Sequence, residues 1–294
     1  MKIACNYYHE TEQLLDDKLI DLDYFKYPGL GFQMGIMEDL GAFEHFCYNL
    51  TAKRPILLHG LYPAPHNLAS PSLQADFDVE TTNRLIRMTK TPGLSFHPSL
   101  TALPEDIPFR QTLDTIISNA IFVRDKYADM DFVSIENCDN IQWGDLLKPE
   151  VITELLEKTK CGFLLDISHA YCASRWLDEP FIDYLHKLPL EKTVEIHING
   201  WITSNNSVMC HTKIHEEAYT ALKVVLQHCN PMIITIEYGR HNDRIGSGCP
   251  VMSPDRTCEE AKTEIIEQVA RITEIIRYTD KQLPKEKVFH KWRF

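Results

Sequence analysis

Eight short apolar runs rich in Val, Ile, Leu and Phe recur along the chain, each followed by a polar or helix-period stretch. That alternation confines the fold to repeated βα units on a parallel sheet. The runs read as strands at 2–8 (KIACNYY), 30–37 (LGFQMGIM), 55–60 (PILLHG) and 94–100 (LSFHPSL). Strands at 131–137 (DFVSIEN), 161–169 (CGFLLDISH), 193–200 (TVEIHING) and 231–239 (PMIITIEYG) complete the set. Apolar residues three and four apart predict helices over Phe109–Tyr127, Pro149–Lys160, Glu216–Cys229 and Cys258–Tyr278. An open doubly wound sheet would show a glycine-rich phosphate loop after its first strand, and CNYYHETEQ contains no glycine. The expected fold is therefore α/β, a (β/α)8 TIM-type barrel. With no Ser-, Gly- or Pro-rich linker in the series, it should form one domain over residues 1–294 with a short tail from about 280.

Composition narrows the partners. Lys and Arg total 30 against 42 Asp and Glu, and a formal charge of −12 argues against nucleic acid. The N-terminus lacks the pattern of a signal peptide, and no run is apolar enough for a membrane span, so the expected location is cytoplasmic. Nine cysteines, scattered without a C-x-x-C pair, read as reduced thiols.

In a βα barrel the chemistry sits at the C-terminal ends of the strands. Here those ends carry metal-binding residue types: Glu38, His59, His97, Glu136 with Asn137, Asp166 with His169, His197 and Glu237. Taken singly, each is best read as a hydrogen-bonded structural residue. Four carboxylates aimed at one mouth, however, would repel one another unless cations were bound or their pKa values raised. The alternating imidazoles supply neutral nitrogen ligands, which makes metal binding the expectation. His59, His97 and Glu136 form a two-His, one-carboxylate set suited to non-haem iron and oxygen. Asp166, His197 and Glu237 would take a second ion, with Glu136 as the bridge. Zinc or manganese would accept the same atoms. A strand-end ligand such as Asp166 should matter for metal content and little for the barrel core. In MCHTKIHEEAY, His211 stands nearer the mouth than His215, and His241 in EYGRHN is a further candidate. G-S-G-C-P at 246–250 reads as a turn or lid, and no G-x-S-x-G motif is present.

In the order LLHG, LSFHPSL, SIENC, GFLLDISHAYCAS, VEIHING and TIEYG, these segments resemble a TIM-barrel family of multinuclear non-haem iron-dependent oxidative enzymes, one member of which acts in methanobactin biosynthesis. The resemblance runs from about residue 30 to residue 239. It implies His59, His97, Glu136, Asn137, Asp166, His197 and Glu237 as functional positions, with His169 and His211 as further ligands. The family commonly has Asn in place of His169, an Asp where this chain reads Met209, and Asp where it has Gly239. The missing Asp bears on a third ion. The resemblance further implies two or three irons, O2 as co-substrate, and a ribosomally made precursor peptide as substrate, with cysteine as the residue modified. It also implies a partner protein that captures the leader peptide. The rivals are a xylose-isomerase-like metal-dependent isomerase or phosphodiesterase, and a non-catalytic metal- or peptide-binding subunit.

Overall fold

The computed structural model describes residues 1–27, 39–63, 66–204, 207–239 and 259–282. Eight parallel strands close into a barrel: β1 (Lys2–Asn6), β2 (Tyr24–Lys26), β3 (Ile56–His59), β4 (Gly93–Phe96), β5 (Phe132–Glu136), β6 (Gly162–Asp166), β7 (Thr193–Ile198) and, returning to β1, the strand Ile233–Ile236. The expected TIM-type barrel is what forms.

One strand lies elsewhere than expected. The second position is held by Tyr24–Lys26, which pairs with β1 through Asn6 and Lys26 and with β3 through Lys26 and Leu57. The predicted strand at 30–37 and the Glu38 that followed it lie outside the described residues, as do His241 and G-S-G-C-P at 246–250. The physical reason is that a three-residue strand containing a lysine carries almost no periodic signal, while the longer apolar run nearby carries a strong one. A second difference follows β7: the expected loop is an antiparallel hairpin, β8 (Gly200–Ser204) with β9 (Ser207–Thr212).

The helices match their sequence signals closely. Phe109–Lys126 buries Leu113, Ile116, Ile117, Ala120 and Val123, one stripe at spacings of three and four. Pro149 opens the helix Pro149–Thr159, and Asp78 caps Val79–Thr89 by accepting from Thr81 N at 2.9 Å. The C-terminal helix Glu259–Gln282 packs Ile265, Val269 and Ile272 into the core; most of the tail expected beyond about 280 lies outside the described residues. Among the described residues no helix is long and apolar enough to cross a membrane.

Side-chain alternation then places the site. Ala4, Leu57, Phe132, Val194 and Ile233, from five different strands, form a cluster of their own apart from the main core, the apolar layer inside the barrel. Two and four residues further along the same strands, the period of two brings Asn6, His59 and Glu136 to the inside. Gly93 sits at this layer because a Cβ there would fall 2.4 Å from the Phe132 ring. Gly93→Ala should therefore destabilise the barrel by about 1–3 kcal/mol through overpacking, read as a lower urea midpoint; an unchanged midpoint would mean that the ring can move aside.

Candidate metal centre

Two groups of ligand-type atoms meet at the barrel mouth. His59, His97 and Glu136 offer atoms within 4.8 Å of one another, and so do Glu136, Asp166, His197 and Glu237. Glu136 belongs to both. Apart from His97, which is partly exposed, all of these residues are buried.

The first group converges without hydrogen bonding. Glu136 Oε2 lies 3.0 Å from His59 Nε2 and 3.2 Å from His97 Nε2, yet it is a buried oxygen with no hydrogen-bond partner. The tautomer of His59 accounts for this. Ser95 Oγ stands 3.4 Å from Leu58 O and 3.1 Å from His59 Nδ1; a hydroxyl that donates to that carbonyl favours the Nδ1–H tautomer, in which Nε2 carries a lone pair. A carboxylate oxygen and a nitrogen lone pair then face each other across the gap, an arrangement that repels unless a cation lies between them. Burial, and next the charge of Lys26, lower the His59 pKa; burial takes His97 down to about 3. Both rings are thus neutral, as metal ligands must be. These residues fit a divalent metal of mixed nitrogen and oxygen preference.

The second group is more crowded. His197 Nδ1 lies 3.3 Å from Glu136 Oε1 and 3.4 Å from Glu237 Oε2, and its Nε2 lies 3.2 Å from Glu195 Oε1. Glu195 in turn accepts from Thr235 Oγ1 at 2.7 Å. Lys26 reaches into the same place, paired with Glu237 Oε1 and with its Nζ 3.1 Å from His197 Nε2. Asp166 uses Oδ1 to accept from Ser168 Oγ at 2.7 Å and His169 N at 2.8 Å, capping the helix Ile167–Trp176, and Oδ2 to accept from Asn199 Nδ2 at 3.1 Å. Burial raises the Asp166 pKa.

The remaining predicted residues stand beside these groups. Asn137 has both ends of its amide committed to the Asp166 backbone, donating to the carbonyl at 3.0 Å and accepting from the amide N–H at 2.8 Å. It splints β5 to β6, with its amide oxygen already accepting one hydrogen bond. His169 Nδ1 donates to Asn137 O at 3.1 Å and lies 3.3 Å from Glu136 Oε1. His211 Nδ1 donates to Glu237 O at 3.2 Å, which leaves its Nε2 clear of that bond. His215 caps the helix Glu216–Val225 and sets its ring edge-on to Trp201 at 4.3 Å.

Sequence reading missed Lys26, Glu195 and Asn199. Glu195 and Asn199 stand two residues either side of His197 on one strand face, a period-two signal that was available. Lys26 had none, because its strand was placed elsewhere. Also unmarked was the pair Cys172 and Cys210, whose sulfurs lie 3.6 Å apart beside the mouth. Every described cysteine is free, as expected of reduced thiols.

The imidazoles predict a pH optimum for stability of the metal-free protein. Burial holds His97 near 3 and His66 at about 4, so below the unfolded value of about 6.5 the unfolded chain takes up protons that the folded chain refuses, and stability falls with pH. His169 has the opposite sign. Burial would lower it, but Asp166 and Glu136 outweigh that and raise it to about 10, so its contribution is complete below about 6.5 and is lost as pH rises toward 10. Urea midpoints measured in chelator should peak between about pH 6 and 7; a midpoint that climbs steadily into alkali would contradict these shifts.

Comparison with known proteins bears on this arrangement. A family profile described as RiPP precursor modification enzyme MbnB/TglH/ChrH matches residues 34–245. The chain is 24% identical over 197 residues to a UPF0276 protein of Chromobacterium violaceum, covering 63% of this chain and 70% of that one. Among solved structures it is similar to a D-tagatose 3-epimerase-like protein (TM-score 0.58, 15% identity, 93% of this chain and 98% of that chain). It is also similar to a xylose isomerase domain protein from Alicyclobacillus acidocaldarius (TM-score 0.58, 16% identity, 95% and 99%). At these identities the solved structures speak for the barrel fold alone.

Proposed function

The chain belongs to the RiPP precursor modification enzyme family MbnB/TglH/ChrH, and from that membership we propose a non-haem iron enzyme that uses O2 to oxidise a cysteine of a ribosomally made precursor peptide. The observation that carries the metal part is the Glu136 oxygen left without a hydrogen bond opposite two neutral imidazoles.

His59, His97 and Glu136 would hold the ion, three protein ligands that leave further coordination positions open. Iron bound there supplies the redox chemistry with oxygen that the polypeptide lacks. The chain's own part is positioning. Ser95 Oγ, 3.1 Å from His59 Nδ1, orients that ring. His66 accepts from Leu61 N at 3.3 Å and donates through Nε2 to His97 O at 2.8 Å, which holds the segment carrying His97 against β3. The hairpin β8–β9 is anchored beside the mouth by Trp201 stacked on Tyr171 at 4.5 Å. A mouth ringed by buried polar groups has little surface for reading a peptide sequence, so we place leader recognition on a separate partner protein, which would raise the effective concentration of the reacting residue.

The test is direct. Protein purified without oxygen from iron-rich medium should hold iron. Admitting oxygen in the presence of a cysteine-containing precursor peptide and its leader-binding partner should change the peptide mass. Zinc or manganese alone, with no oxygen consumed, would move the reading to the metal-dependent isomerases and phosphodiesterases. Full turnover of free cysteine without any partner would remove the peptide and partner from it.

A further inference from the structure

Lys26 is 1% exposed, and its amine lies among the atoms of the second acidic group. We propose that the Lys26 ammonium is the resident cation of that group, so that the chain binds one metal ion, at His59, His97 and Glu136, where its donor set alone would take two. The inference rests on the metal reading above and lowers the two or three ions expected from the sequence.

The backbone fixes this lysine in place. It ends β2, in register with Asn6 on one side and Leu57 on the other, and its carbonyl accepts from Tyr7 N at 2.8 Å. Tyr24, two residues earlier on the same face, packs on the apolar layer inside the barrel, so Lys26 points along the barrel interior toward the mouth. Lysine side chains normally carry the charged head to water. Here the head pairs with Glu237 Oε1 and sits 3.1 and 3.3 Å from the two nitrogens of His197.

Glu237 and His197 are also two of the four residues whose atoms make the second metal-type group. An ammonium has three donors and no acceptor, so it satisfies a carboxylate as a cation does but contributes nothing as a ligand. A dication seated on the same two side chains would lie against that ammonium in a region shielded from water, where like charges repel strongly. The first group lies further from this charge: among the described residues the hydrogen-bond contacts of Lys26 fall on His197 and Glu237, and it reaches His59 through its field alone. One fixed charge therefore divides a shared cluster of ligands into a metal half and a lysine half.

Anaerobic titration of metal-free protein with Fe2+ alone, counting iron retained after desalting, reads the count. Wild type and Lys26→Arg should bind one ion. Lys26→Met and Lys26→Gln, checked for folding by circular dichroism, should bind two. Two or more ions on the wild type would overturn the proposal while leaving the metal reading intact, and so would one ion on every folded variant. No ion on the wild type would defeat the metal reading itself. Should the neutral variants fail to fold, the wild-type count decides. An intact mass showing Lys26 carboxylated would also overturn it, since the residue would then be a ligand.

Discussion

Glu136→Gln should leave the chain folded and nearly free of metal. The substitution keeps the side-chain shape but replaces an anionic oxygen by an amide whose nitrogen donates and does not ligate a cation. In the wild type, Oε2 faces the Nε2 atoms of His59 and His97 at 3.0 and 3.2 Å, and a cation between them satisfies all three at once. A glutamine NH2 aimed the same way donates to those lone pairs instead. The metal-free variant should thus be as stable as metal-free wild type or more so, because a buried repulsion becomes a hydrogen bond. Loss of a partner outside the ligand sphere already costs about 10–100-fold in metal affinity; losing the one anion shared by both groups should cost at least about 100-fold. Iron content, circular dichroism and oxygen-dependent turnover on one preparation check this. Full iron and full activity would make Glu136 a structural residue and end the case for this centre.

Seven of the eight barrel strands were legible because their signal is hydrophobic and repeated. Runs such as ILLH, FVSIE and GFLLD are wholly buried, and a strand covered on both faces reads as a continuous apolar stretch. The ligand-type residues were legible for a related reason: a polar residue ending such a run has few places to be except the mouth. Asp166 and Glu136 each close a buried strand.

What failed to show was everything set by pairing between elements. Lys26 ends a strand of three residues, too short for any periodicity, and a lysine in sequence reads as solvated. Its burial depends on Glu237, 211 positions away. Likewise nothing in SIEN announces that the amide of Asn137 will be used up by the backbone of Asp166. The hairpin was missed because GWITS and SVMCHT mix apolar and polar residues without a continuous apolar run; they pair antiparallel with Thr203 opposite Val208.

Asp166 tests how far a strand-end residue is scaffold as well as site. The sequence suggested that its loss would matter little for the barrel core, and the side chain carries three accepted hydrogen bonds: from Ser168 Oγ, His169 N and Asn199 Nδ2. The second of these caps the helix Ile167–Trp176. Removing a cap costs about 0.5–2 kcal/mol, and each buried donor left without a partner adds about 1–3 kcal/mol. Some of this is offset by removing an anion from a crowded acidic cluster, the anion whose pKa burial has raised. Asp166→Ala should therefore lose about 2–4 kcal/mol of stability, visible as a lower urea midpoint in chelator. Asp166→Asn keeps an oxygen for the cap and should recover much of that loss, short of the bond from Asn199, whose NH2 would then face another NH2. If the second group holds Lys26 and not a metal, both variants, once folded, should retain the ion bound by His59, His97 and Glu136. An unchanged midpoint together with lost iron would reverse the assignment, making Asp166 a ligand first and a cap only incidentally.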